Sequence, residues 1–212
     1  MASPVELDQP VINLVTRITP RTLILDAGCG LGKWTWLLTC FLRAENPTVI
    51  ALDLYETYLK SIKRWHRDDV ILASIQELPF RPNSFDATII SEVIEHLPKV
   101  QGERCLAQIL RVSREVVLTT PRTYADVLPL DNNLLNLHKS EWTTSELRSF
   151  GFKVYRTKHN LVATTLWPLP FAVSLRRMLF PQGVRGVLKR ALNIQGYAAA
   201  RREPPTQPSS SR

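Results

Sequence analysis

Asp26, Gly28, Gly30 and Gly32 stand in the stretch Asp26-Ala-Gly28-Cys29-Gly30-Leu-Gly32, the clearest chemical signal in this chain. Glycine accepts positive φ and carries no Cβ, so a turn built on alternating glycines lets backbone come close to a ligand. A second acid, Asp53, follows about 20 residues later, where Rossmann-like sites bind a ribose. A carboxylate there accepts two hydrogen bonds from the vicinal hydroxyls, which a neutral side chain does less well. The glycines fall as G-x-G-x-G. Dinucleotide sites read G-x-G-x-x-G, and no hydride-transfer constellation accompanies the turn, which disfavours a nicotinamide dehydrogenase. His96 and His138 are candidates for proton transfer, because neutral imidazole takes a proton near pH 7. Their plainer roles are helix-start packing for His96 and loop packing for His138.

These residues need elements to hold them. Leu23 to Leu25 is an apolar run that reads as a strand, and Trp34, Leu37, Leu38, Phe41 and Leu42 recur at helical spacing after the turn. Thr48 to Leu52 is a second strand ending in Asp53, followed by a helix over Tyr55 to Arg67 with Tyr55, Leu59, Ile62 and His66 near one face. Val70 to Ala73 and Ala87 to Ser91 read as strands three and four, separated by a turn-rich segment with Pro79 and Pro82. A helix over Gln101 to Val112 and a fifth strand over Glu115 to Thr119 follow. A long loop, Arg122 to Lys139, is rich in Asp and Asn, and loops of this length are usually functional or mobile. Thr143 to Glu146 fits a capping box for a helix that stops at Gly151. Phe152 to Thr157 alternates as a half-buried strand, with Gly196 to Ala200 expected to pair with it. Strands alternating with helices imply a mainly parallel sheet with helices on both faces. In such sheets a ligand lies outside the carboxyl ends of the strands. The glycine turn, Asp53, Ser91 and Glu92 all fall there.

Four blocks stand in order: the glycine turn, Asp53, Leu78-Pro79-Phe80 with Ser84-Phe85-Asp86, and Glu92-Val-Ile-Glu95-His96-Leu97. A weaker fifth runs from Leu137-His138 through Trp142 to Glu146-Leu147 and Gly151-Phe152. From about Thr22 to Phe152 the chain resembles the class I S-adenosylmethionine (SAM) dependent methyltransferases, of the small-molecule or lipid type. The resemblance implies a Rossmann-like, doubly wound, seven-stranded and mostly parallel sheet with a C-terminal antiparallel hairpin, and SAM as cofactor. It implies that the turn, Cys29 included, passes the methionine moiety, with Asp26 helping to hold its ammonium. Asp53 would bind the ribose diol, Leu54 would lie against adenine, and Ser91 and Glu92 would border the sulfonium and the substrate. Relatives commonly carry an Asp four residues before the Leu-Pro-Phe block. Here that residue is Ser74, so Ser74 or the backbone near Ile75 and Gln76 takes the adenine contact. Methyl transfer from a sulfonium is an in-line displacement whose leaving group needs no proton. His96 or His138 would act as base only where the acceptor must lose one. No metal-ligand set is assigned.

The acceptor suggested is small or lipid-like. The alternatives are an RNA methyltransferase, favoured by charge, and an inactive methyltransferase-like partner subunit. Against amine methylation of bases, the fourth strand ends Ser91-Glu-Val-Ile and lacks the Asn/Asp-Pro-Pro-Tyr of such enzymes. The formal charge of +8 and pI near 9.7 favour anionic partners. Residues 153–202 carry ten Lys and Arg and no acid. Residues 1–20 are expected to form an N-terminal helix, 21–160 the SAM-binding core, 161–194 a basic amphipathic insertion, 195–202 the final strand and 203–212 a disordered tail. The insertion suits either a lid over the substrate pocket or peripheral membrane contact. Three unpaired cysteines and the lack of a secretory signal point to a reducing, cytoplasmic setting.

Overall fold

The computed structural model describes residues 22–41, 47–123 and 133–165. These lie in the first of two compact units, Met1–Trp167; the second, Pro168–Arg212, is outside the described residues. The expected N-terminal helix, the strand at 195–202 and the tail are likewise outside them.

Strand β1 (Leu23–Ala27) leads into the glycine turn and helix α1 (Lys33–Phe41). Strand β2 (Thr48–Asp53), helix α2 (Glu56–Ile62) and strand β3 (Val70–Leu72) follow. Strand β4 (Phe85–Ser91) ends in a short 3-10 helix, Ile94–His96, before helix α3 (Lys99–Val112) and strand β5 (Ser113–Pro121). A second 3-10 turn (Leu134–Asn136), helix α4 (Thr144–Ser149) and strands β6 (Lys153–Arg156) and β7 (Asn160–Thr164) complete the described chain.

The seven strands form one sheet in the order β3-β2-β1-β4-β5-β7-β6. The pairs from β3 to β5 are parallel; β7 runs antiparallel to both β5 and β6. The order reverses between β1 and β4, and the crevice outside the carboxyl ends of the strands at such a switch point is where open α/β sheets bind ligands. Apolar strands explain the core: Ile24, Leu25, Leu52, Ile89, Ile90 and Leu118 have no exposed surface. Helix α3 covers one face with Cys105, Leu106, Ile109 and Val112, all fully buried at helical spacing. Two acids serve the sheet rather than the solvent. Asp86 Oδ2 accepts the Leu23 N–H at 2.9 Å, and Asp68 Oδ2 accepts the Val49 N–H at 2.8 Å, satisfying amides near the strand starts.

Two expectations are corrected. The seventh strand of the described sheet is Asn160–Thr164, three residues after β6, and the expected strand at Gly196–Ala200 lies outside the described residues. Leu161 to Thr164 therefore belong to the sheet, and residues 166–194 of the expected insertion lie outside the described residues. The helix after Asp53 ends at Ile62 instead of continuing to Arg67. Trp65 and His66 both donate their amides back to the Ile62 carbonyl, and the buried His66 ring reaches Val49 O through Nε2 at 2.6 Å, drawing the chain to the sheet.

Candidate functional site

The glycine turn hangs from the end of β2. Gly28 and Cys29 both donate their amides to Leu52 O, at 2.7 and 2.9 Å, and Gly30 N–H donates to Asp53 Oδ2 at 2.8 Å. Gly28 has φ +73°, and a Cβ there would lie 2.6 Å from Val93 Cγ2. Gly32 has φ +81°, and its Cβ would meet Trp65 at 2.9 Å and Ile62 at 3.0 Å. Gly32 thus serves close packing against α2 and the turn after it, while Gly28 lets Val93 approach from beyond β4. Gly30 alone opens to empty space.

A cleft of about 210 Å³ lies above this turn. Of the residues expected to bind a cofactor, Gly28, Cys29, Gly30, Asp53, Leu54, Ser74, Ile75, Gln76, Ser91 and Glu92 line it, as does His96. Asp26, Gly32 and His138 do not.

Asp26 stands behind the turn, 1% exposed. Its Oδ2 accepts the Thr35 amide at 2.8 Å and the Thr35 hydroxyl at 2.6 Å, holding the first turn of α1. Burial pushes its carboxyl up to about 6, against the lowering effect of the Thr35 bonds. Asp53 faces the cleft with Oδ2 on Gly30 and Oδ1 on the Tyr55 amide, each at 2.8 Å. A carboxylate has about four acceptor directions, so both oxygens keep capacity for ligand hydroxyls. Burial raises its carboxyl above the usual range, opposed by the Tyr55 and Gly30 amides. Burial also holds the Cys29 thiol protonated, so Cys29 is a filler in the turn and no nucleophile. Leu54, 52% exposed, forms the rim, and Ser74 Oγ accepts the Gln76 amide at 3.2 Å.

The far wall is the end of β4. Ser91 and Thr119 share a hydroxyl pair at 2.6 Å. Glu92 adopts φ +56°, a left-handed backbone that a side chain enters at a cost and that clusters at functional sites. It is fixed from two strands: its amide donates to Thr119 O at 2.9 Å, and its carboxylate accepts Thr119 Oγ1 at 3.0 Å and Asn160 Nδ2 at 3.0 and 3.1 Å. His96 Nδ1 donates to Leu137 O at 3.3 Å. Burial pushes its imidazole down to about 4, with the neighbouring His138 adding to the fall and the Leu137 bond opposing it. The His138 ring lies 5.1 Å away and is lowered by burial.

Val93, Gln101, Asn133, Asn136 and Lys139 also line the cleft and were not singled out as site residues. The Asn-rich loop was the available signal for two of them. Asn136 Nδ2 donates to Tyr58 Oη at 3.0 Å, tying that loop to α2. The Leu78–Phe80 block proves to be anchored from beneath: Arg111 donates to the carbonyls of Phe80 at 2.8 Å and Leu78 at 3.1 Å.

Residues 25–116 match the family model described as a methyltransferase domain. Over that stretch the chain carries a methyltransferase domain, and it is similar to SAM-dependent methyltransferases. A probable S-adenosylmethionine-dependent methyltransferase of Mycobacterium tuberculosis is 33% identical over 138 residues, 64% of this chain and 48% of that protein. A similarly described protein of Mycolicibacterium smegmatis is 29% identical over 140 residues, 63% of this chain and 53% of that one. The chain spans about half the length of these curated relatives. Among solved structures, the PH0226 protein of Pyrococcus horikoshii aligns with a TM-score of 0.57 at 15% identity, covering 76% of this chain and 87% of that one. The 1,6-didemethyltoxoflavin-N1-methyltransferase of Burkholderia thailandensis aligns at 0.56 and 21% identity, covering 76% and 77%. Both likenesses are of fold.

Proposed function

We propose that this domain binds SAM in the cleft and transfers its methyl group to a small or lipid-like acceptor. The observation that carries the reading is the Asp53 carboxylate, which closes the glycine turn through Gly30 and still presents acceptors to the cleft. In this reading the methionine end lies over Gly28 to Gly30, the ribose hydroxyls bond Asp53, and adenine sits between Leu54 and Ser74 to Gln76. SAM carries a sulfonium, and the negative side chains of Asp53 and Glu92 on the cleft walls suit a cation. The reaction breaks the S–CH3 bond as the acceptor's lone pair forms the new one, leaving a neutral thioether. Alignment and exclusion of water supply most of the catalysis such a displacement needs.

The apolar part of the acceptor reading rests on Val93, Leu97 and Leu135, which line the same cleft, with Leu135 41% and Leu134 67% exposed beside it. Calorimetric titration with SAM, S-adenosylhomocysteine and NAD tests the cofactor. Binding of the first two and silence toward NAD is expected; no binding of SAM by the wild-type protein sinks the reading. Transfer of label from methyl-labelled SAM into solvent-extractable lipid or small-molecule acceptors tests the second half. Label entering only RNA would overturn the acceptor class and keep the cofactor.

A further inference from the structure

Glu95 is the least explained side chain among the described residues. It is 2% exposed, and only Oε2 is engaged, accepting the Thr120 hydroxyl at 3.0 Å. Oε1 is buried with no hydrogen-bond partner among the described residues. Buried polar atoms are nearly always satisfied, so an orphaned carboxylate oxygen calls for a missing partner. Two histidines stand near the same carboxylate. One donor atom from each of Glu95, His96 and His138 can be chosen so that all three lie within 4.8 Å of one another. The set joins two distant chain segments, held in register by the amides of Lys139 and Ser140, which donate to Glu95 O at 2.7 and 3.1 Å.

The orientation of His96 fits a ligand. A carbonyl only accepts, so the contact with Leu137 O fixes the proton on Nδ1 and leaves Nε2 with its lone pair. That backbone support of one ring nitrogen is the usual companion of metal ligation by the other.

We propose that Glu95, His96 and His138 form a site for one divalent transition-metal cation, with zinc the ion that two imidazoles and a carboxylate suit best. Three protein ligands of this kind leave a coordination position open. Because His96 lines the cleft, that position faces the chamber assigned to the acceptor. Ligands about 2.1 Å from one ion sit roughly 3 to 3.5 Å apart, so closing the set takes an inward shift on the order of 1 Å. His138, on the loop ahead of α4, is placed to make it. The two histidines thereby gain a role other than proton transfer.

The test uses tag-free, metal-stripped full-length protein titrated with zinc chloride by calorimetry, repeated with cobalt(II) read by its visible absorption. One equivalent should bind, and Glu95→Gln and His138→Ala should each weaken binding by at least about tenfold. The exposed His159, replaced by Ala, should leave it unchanged. Circular dichroism and melting temperature verify that each variant is folded. Absence of zinc binding in the wild-type protein, or equal binding by wild type, Glu95→Gln and His138→Ala, overturns the site. The readout requires no SAM, so zinc uptake without cofactor binding leaves the site standing, and cofactor binding without zinc uptake removes the site alone.

Discussion

At Asp53 one carboxylate serves both the fold and the proposed ligand, and two substitutions separate these uses. Asp53→Asn keeps one oxygen for a backbone amide but loses the charge and one acceptor. A hydrogen bond to a charged group contributes about 1.5–3 kcal/mol, so S-adenosylhomocysteine should bind roughly ten- to hundredfold more weakly by calorimetry. Asp53→Ala also strips acceptors from Gly30 and Tyr55 and should lose on the order of 2 kcal/mol of stability in urea beyond Asp53→Asn. Unchanged affinity in both variants would remove Asp53 from the site. Asp26 makes a different prediction. Its carboxyl is raised from 3.8 to about 6, so the folded state holds the proton more tightly than the unfolded chain does. Its contribution to stability is complete below about pH 3.8 and is lost as pH rises through about 6. In the unliganded protein, the stability of wild type minus that of Asp26→Asn should fall by on the order of 3 kcal/mol between pH 3.5 and 7, by the approximate linkage of 1.36 kcal/mol per unit. A difference that stays flat across that interval would show that Asp26 ionises without penalty.

Among the elements, the start of α4 was legible to the residue. The capping box forms as expected: Glu146 N–H donates to Thr143 Oγ1 at 3.2 Å, and Thr143 N–H to Glu146 Oε2 at 2.7 Å. Thr143→Ala should therefore cost about 1 kcal/mol in chemical denaturation and lower the melting temperature by a few degrees. No change in either would mean that packing of Trp142 and Leu147 alone holds the helix. Three of the parallel strands were legible for a related reason, since their apolar runs end in a residue with chemistry: Asp26 just inside β1, Asp53 ending β2, and Ser91 and Glu92 at β4. Strand β7 was not. Its five residues are all buried, because it is inserted between β5 and β6, so it shows no alternation and reads as the start of the apolar segment that follows. The consequence reached the site, since Asn160 of β7 joins Thr119 in holding the Glu92 carboxylate. The grouping of Glu95 and His96 with His138 was equally hidden. No metal spacing connects them in sequence, and long-range bonds such as those from the Lys139 and Ser140 amides to Glu95 O bring the loop home.

For the whole molecule, charge divides into a local and a global part. The cleft has Asp53 and Glu92 on its walls, while the chain carries a net +8. Most of that excess comes from residues beyond β7, where the basic run from Arg176 to Arg202 contains no acid. A cationic methyl donor is compatible with a basic chain wherever the added charge lies beyond the Debye length of the cleft, about 8 Å at physiological salt. The same positive excess should attract anionic surfaces. No helix among the described residues is long and apolar enough to cross a membrane, so any membrane association would be peripheral as far as these residues go. In co-sedimentation, the full-length protein should bind vesicles containing phosphatidylserine and ignore those of phosphatidylcholine alone. At about 0.5 M salt, with screening over only a few ångströms, that binding should be lost. Binding that survives the salt would mean that an apolar face enters the bilayer, the behaviour of a basic amphipathic helix. Failure to bind anionic vesicles even at low salt would show that the positive excess is neutralised within the chain, and would remove the membrane from the list of partners.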